Sequence, residues 1–140
     1  MNYSDYICNL DNNLFQGSFH ATSKEILDYY KINSVLHIGF DVCEFPNKTY
    51  KSLALEDNTQ SADLFKTLLD ELHQWIDQEL ALGRRVLVAC SAGKSRSVSV
   101  CLSYLMKKKH MTYDEAFAFM YARRPVINPN PGFIRMLKAL

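Results

Sequence analysis

Cys90 and Arg96 are separated by five residues, and the run Val86-Leu87-Val88-Ala89 leads straight into the cysteine. An uninterrupted apolar run of this length is the mark of a strand buried on both faces. The segment that follows, Ser91-Ala92-Gly93-Lys94-Ser95, is short, polar and small, and a helix is expected from Ser97. Between a strand end and a helix start, the backbone N–H groups of such a loop converge, and the helix N-terminus adds positive potential. Together they form an anion site. Gly93 permits a left-handed backbone in mid-loop. Arg96 offers a planar fork that fits two oxygens of a phosphate. The field that holds a phosphate dianion also favours the thiolate of Cys90, the nucleophilic form of that side chain. Nucleophile and anion cradle are then one object.

Competing readings of the same residues differ in what they require. A single Cys ending a strand is more often packed core than catalyst. Gly93-Lys94-Ser95 resembles the end of a nucleotide-binding loop, but that motif needs Gly at position 88, where Val88 stands. Sulfur transfer of the rhodanese type also places a Cys in an anion-binding loop, so the loop alone leaves the reaction open.

The elements that must position the loop follow from periodicity and stop signals. Asp5–Leu10 and Asn13–Gln16 read as two short strands joined by a turn at Asp11-Asn12-Asn13. Thr22 with Glu25 has the capping-box spacing, opening a helix from Ser23 to about Tyr30. Ser34–Ile38 is an apolar strand ended by Gly39, and Tyr50–Leu55 is another. Ser61 is placed to cap a long helix with Phe65, Leu68, Leu69, Leu72, Trp75, Ile76 and Leu80 at helical spacing, stopped by Gly83. After the loop, Ser97–Met106 is apolar nearly all round, which marks a central helix. Thr112 and Glu115 form a second capping box for a helix to about Arg123, and Gly132–Leu140 makes a final helical turn or two. Strands alternating with helices predict one α/β domain over residues 1–140, a single mixed sheet of about five strands flanked by helices.

Composition bounds the partners. Hydrophobic residues make up 48% of the 140 and charged residues 22%, and sixteen Lys+Arg against fifteen Asp+Glu leave a net charge of +1. A nucleic-acid binder shows a basic excess that is missing here. The four cysteines (Cys8, Cys43, Cys90, Cys101) have neither CxxC spacing nor a Cys/His cluster, which argues against a zinc site or a disulfide framework. No apolar run approaches the ~20 residues that span a bilayer, and no secretory or lipidation signal is legible, so no membrane association is expected and cytosol, with nuclear access, is the default.

With these residues in place, the chain resembles the cysteine-dependent protein tyrosine phosphatases, through Cys-x-x-Gly-x-x-Arg-Ser over Cys90–Ser97. Ala-Gly-x-Ser-Arg-Ser followed by a helix carrying Tyr104-Leu105-Met106 is similar to the small dual-specificity branch. So are Gly17-Ser18, Val35-Leu36-His37-Ile38, Leu55-Glu56-Asp57-Asn58, Ala122-Arg123-Arg124-Pro125 and Asn128-Pro129-Asn130-Pro131-Gly132-Phe133, in the same order. The resemblance covers nearly the whole chain, and the sulfur-transfer reading drops sharply.

The resemblance implies a phosphatase acting on phosphoproteins without metal or cofactor. Cys90 would attack phosphorus and become phosphocysteine. Arg96 and the N–H groups of Ser91, Ala92, Gly93, Lys94 and Ser95 would hold the equatorial oxygens. Asp57 matches the general acid, and Ser97 the hydroxyl that stabilises the departing thiolate. Asn130 matches an asparagine whose side-chain amide would brace the phosphate loop. By the same analogy, a domain this small has a shallow pocket open to phosphotyrosine, phosphoserine and phosphothreonine. Glu56, next to Asp57, and Asp63 are rival acids, although Asp63 also reads as a helix-start residue. The histidines His20, His37, His73 and His110 have no motif partner, and Lys107-Lys108-Lys109 reads as a solvated helix end.

One position departs from the family pattern. Ala89 stands where His usually precedes the nucleophile, so slower turnover is expected. The alternative reading is a phosphatase-like module that binds phosphoproteins and turns them over poorly. Lipid, RNA 5′-end and glucan phosphatases share the chemistry, but no strongly basic loop supports them here.

Overall fold

The computed structural model describes residues 2–140. Five strands form one sheet: β1 (Ile7–Asp11), β2 (Leu14–Ser18), β3 (Ser34–Ile38), β4 (Thr49–Leu53) and β5 (Val86–Cys90). Their spatial order is β1-β2-β5-β3-β4; β1 pairs antiparallel with β2, and the other pairs are parallel. The helices are α1 (Lys24–Tyr29), α2 (Ala62–Ala81), α3 (Arg96–Lys108), α4 (Tyr113–Arg123) and α5 (Pro131–Lys138). This is the mixed, helix-flanked sheet that the alternation of elements predicts. Among the described residues, no helix is long and apolar enough to cross a membrane.

The central strand β5 is buried along its whole length, and its alternate side chains belong to different cores. Val86, Val88 and Cys90 join Leu36, Ile38, Phe65, Leu102 and Phe133 in the core under α2–α5. Leu87 and Ala89 join Val35, Phe15, Ile26 and Leu27 under α1. Each fully buried Leu, Ile, Val or Phe contributes roughly 1.5–3 kcal/mol, so two faces of filled core hold the end of β5 in place.

Helix starts differ from the expected ones in two places, for local reasons. Thr22 does not cap α1: it closes a 3₁₀ turn by donating to the Phe19 carbonyl (2.7 Å), and Ser23 accepts from Ile26 N–H (3.3 Å) instead. Glu25 is used elsewhere, accepting from the Tyr3 hydroxyl at 2.8 Å. Ser61 does not cap α2, because its backbone is already helical (φ −83°, ψ −4°). Asn58 begins the entry three residues earlier, its Oδ1 accepting from both Ser61 N–H (2.9 Å) and Ser61 O–H (2.8 Å). The Thr112–Glu115 capping box is present in both directions, at 3.1 and 2.9 Å. The three lysines at the end of α3 pair with Asp70, Asp77 and Asp11, tying that end to α2 and β1.

His73 on α2 is buried against α3. Ser103 donates its proton to the Val100 carbonyl (2.7 Å), so the His73 Nε2–H donates to the Ser103 oxygen (2.8 Å), and Nδ1 is left buried with no partner. Burial first, then the charge of Lys107, pushes its pKa down from 6.5 to about 4. In that interval the unfolded chain binds a proton that the folded chain refuses. The stability His73 contributes is therefore complete above about pH 6.5 and lost as pH falls toward about 4. The expected loss is up to about 3 kcal/mol. Thermal unfolding followed from pH 7 to pH 4 checks this, with the slope reduced in His73→Gln.

Candidate active site

The end of β5, the loop after it and the first turn of α3 make the floor of the site. Cys90 is buried, and its sulfur lies 3.1 Å from the Ser97 hydroxyl oxygen. Three carbonyls of Ser91–Ser95 are held by elements outside the loop. Ser91 O accepts from Phe19 N–H (3.2 Å), Lys94 O accepts from Asn128 N–H (2.7 Å), and Gly93 O accepts from Gln16 Nε2 (3.0 Å) and from Arg124. Among the described residues, no N–H of Ser91–Ser95 donates to a protein carbonyl. This is the geometry of an anion nest. Gly93 has φ +68°, and a Cβ there would meet Ser18 N at 2.7 Å, so the loop needs glycine for both conformation and room.

Arg96, half-buried, runs past Gly39 and donates from Nη1 to the Leu55 carbonyl at 3.0 Å; its Nε is buried with no partner. Gly39 has φ +80°, and any side chain there would collide with the guanidinium. A cleft of about 600 Å³ opens beside Arg96, walled by Phe40, Asp41, Ser52, Leu55, Glu56 and Leu64.

Asp57 is exposed on the segment between β4 and α2. Its Oδ1 accepts from Asn130 Nδ2 at 2.8 Å. Asn130 also donates its backbone N–H to Ser95 Oγ (3.0 Å) and accepts from Phe133 N–H through Oδ1 (2.9 Å), capping α5. The brace on the phosphate loop therefore runs through the Asn130 backbone. The side-chain amide, expected on that loop, goes to Asp57 and the helix. Of the rival carboxylates, Glu56 lines the cleft and accepts from Asn58 Nδ2 (3.0 Å), while Asp63 lies on the opposite groove with Gly132 and Arg135.

Ser91, Ala92 and Lys94 are exposed at the rim, and Gly93 and Ser95 are buried. Ala89 is fully buried on the α1 side of the sheet, in register with Gly17 of β2 and His37 of β3. His37 itself is satisfied locally, Nδ1 to Phe40 O at 2.7 Å.

Three residues of the site carried no role in the sequence reading. Gly39 read only as a strand stop. Arg124 read only as part of a motif, yet it is 3% exposed and bonds Gly93 O and, at 3.1 Å, Asp5 O. Burial holds its pKa below the usual value, against the opposing pull of Cys8, Cys90 and Asp5. Gln16 is fully buried on β2 beneath the loop. The signal that could have found it was a polar residue in a strand otherwise apolar on both sides, Leu14-Phe15-Gln16.

The chain is similar in sequence and in fold to known proteins. Human dual specificity protein phosphatase 4 is 38% identical over 130 residues, which cover 89% of this chain and 32% of that protein. Human dual specificity protein phosphatase 1 is also 38% identical over 130 residues, covering 89% of this chain and 34% of that one. The chain thus spans about a third of the length of these curated relatives. Among solved structures, the human tyrosine phosphatase-like serine/threonine/tyrosine-interacting protein superposes with a TM-score of 0.89 at 28% identity, covering 96% of this chain and 95% of that one. Human DUSP28 superposes at 0.85 with 26% identity, covering 95% and 90%. The family description "Dual specificity phosphatase, catalytic domain" matches residues 14–140, from the first residue of β2 through α5. That span takes in the Cys90–Arg96 loop, the Asp57 segment and the Asn130 clamp together, and the chain belongs to the dual specificity phosphatase catalytic domain family.

Proposed function

We propose that the chain hydrolyses phosphotyrosine, and also phosphoserine and phosphothreonine, on protein substrates through a phosphocysteine intermediate and without a metal. The observation that carries this reading is the loop itself. A buried cysteine with a hydroxyl at 3.1 Å is followed by a loop whose Ser91, Gly93 and Lys94 carbonyls are engaged by other elements, while no N–H of Ser91–Ser95 donates to a carbonyl of the described residues.

In the first step the Cys90 thiolate attacks phosphorus, the P–O ester bond breaks, and Asp57 gives its proton to the leaving oxygen. Arg96 and the loop amides hold the three equatorial oxygens, where transition-state charge is spread. In the second step Asp57, now ionised, takes a proton from water as the water attacks phosphocysteine. The S–P bond breaks, phosphate is released, and Ser97 O–H stabilises the returning thiolate. Asn130 keeps the acid and the loop in one frame, since it bonds both.

The test is hydrolysis in excess chelator across phosphotyrosine and phosphothreonine peptides, a phosphoinositide and an RNA 5′-triphosphate. Hydrolysis of the phosphopeptides is expected, and its absence would remove the reading. Asp57→Asn should lower kcat by about 10²–10⁴-fold while phosphopeptide binding persists, and Glu56→Gln should change kcat little. An equal loss in Glu56→Gln would move the acid to that residue.

A second reading has two observations behind it. Ala89 supplies no hydrogen bond beside the nucleophile, and one structural neighbour bears the name phosphatase-like and interacting protein. Under that reading the chain captures phosphoproteins and releases phosphate slowly. Phosphopeptide binding with no measurable release would favour it.

A further inference from the structure

We propose that Gln16 is a positioning residue that turns the Ser97 hydroxyl proton onto the sulfur of Cys90. Gln16 Nε2 lies 2.8 Å from Ser97 Oγ and 3.0 Å from Gly93 O. The orientation of the amide is fixed by its neighbours. Gly93 O only accepts, so the atom facing it is nitrogen, and Arg124 only donates, so the atom facing its guanidinium at 3.4 Å is Oε1. Ser97 therefore receives a hydrogen bond from Gln16 and cannot return one. Two acceptors remain for its own proton: Cys90 Sγ at 3.1 Å and Gly17 O at 3.5 Å, the latter at the limit of a hydrogen bond. The shorter contact takes the proton, and donation from Gln16 polarises the hydroxyl that makes it.

The result is a buried chain running Arg124–Gln16–Ser97–Cys90. It stabilises negative charge on sulfur before attack and again when the thiolate leaves. It does so from β2, the strand beside β5, while Ala89 on β5 supplies nothing. The other charged and titratable groups around Cys90 and Gln16 are Lys94 and Arg96 of the loop, Arg124 after α4, Cys101 on α3, Asp57 ahead of α2 and Cys8 on β1, whose sulfur lies 4.0 Å from Gln16 Oε1. Arg124 acts on the Ser97 proton only through the amide it orients, and the others do not fix its direction.

The inference deepens the proposed phosphatase site, but its main test does not depend on turnover. Gln16→Met and Gln16→Leu keep the bulk and remove the donor, and Gly93 O retains its bond from Arg124. Iodoacetamide alkylation of Cys90 is followed against pH by mass spectrometry of the Cys90 peptide, with thermal unfolding recorded alongside. In either variant the pH midpoint of alkylation should rise by about half to one unit. In a Ser97→Ala background the same substitutions should add no further rise. An unchanged midpoint, or an equal rise with and without Ser97, would overturn the proposal, the second outcome assigning Gln16 to bracing Gly93 alone. With a phosphotyrosine substrate, breakdown of phosphocysteine should slow more than its formation. Failure of turnover in the parent chain would count against the phosphatase reading and leave the alkylation result to decide this one.

Discussion

Cys90→Ser is expected to abolish turnover, by at least about 10⁴-fold, while the protein stays folded and still binds phosphopeptide. Oxygen for sulfur is close to isosteric, and Ser97 at 3.1 Å can bond either atom, so the loop keeps its shape. The chemistry fails because a serine hydroxyl stays protonated where a thiol loses its proton readily. A metal-free phosphotyrosine assay on both proteins, with binding measured by calorimetry, checks the loss and the retention separately. Full activity in the variant would remove phosphocysteine from the mechanism.

Arg96→Lys is expected to be nearly as damaging, about 10³–10⁵-fold in kcat, although the charge is kept. A lysine ammonium cannot reproduce the planar fork. Nor can a single ammonium hold the Leu55 carbonyl and keep a second edge of donors free, as the guanidinium does. In the structure Nη1 is anchored at 3.0 Å on that carbonyl and Nε lies buried with no protein partner. Under the proposed mechanism, the remaining donors face the transferring phosphoryl group. Because the contribution falls on the transition state, kcat should fall far more than KM rises, and steady-state kinetics on one phosphopeptide separate the two. A rise in KM with kcat unchanged would make Arg96 a binding residue only.

Much of the arrangement was legible in the chain, because the signals were local. Val86–Ala89 reads as a doubly buried strand, Gly93 as a turn in the loop, and Thr112 with Glu115 as a helix start, each from residues within a few positions of one another. Where two adjacent residues compete for one role, the pattern is ambiguous. Thr22 and Ser23 both suit a cap, and only the 3₁₀ turn that engages Thr22 decides between them. The long-range partners were the least legible. Gln16 meets Ser97 across 81 positions of sequence, and Asn130 meets Asp57 across 73. Periodicity says nothing about such pairs, because strand order and packing decide them. For the same reason the family pattern pointed to Asn130 but to its side-chain amide, where the structure braces the loop through the backbone N–H instead.

The clamp at Asn130 has a consequence for how the site comes into being. The nucleophile loop is tied at Lys94 O by Asn128 and at Ser95 Oγ by Asn130, and the Asp57 segment is tied by the same Asn130 side chain. All three ties come from the stretch that leads into α5, the last helix of the chain. During synthesis the sheet's five strands and Cys90 leave the ribosome before the residues that tie the Asp57 segment to the Cys90–Arg96 loop. A chain cut short ahead of Asn128 would retain every strand and the ties of Phe19, Gln16 and Arg124 to the loop, yet lose the three ties made by Asn128 and Asn130. Under the proposed mechanism, the Cys90 thiol is joined to its partner acid only after the stretch Asn128–Asn130 has been made.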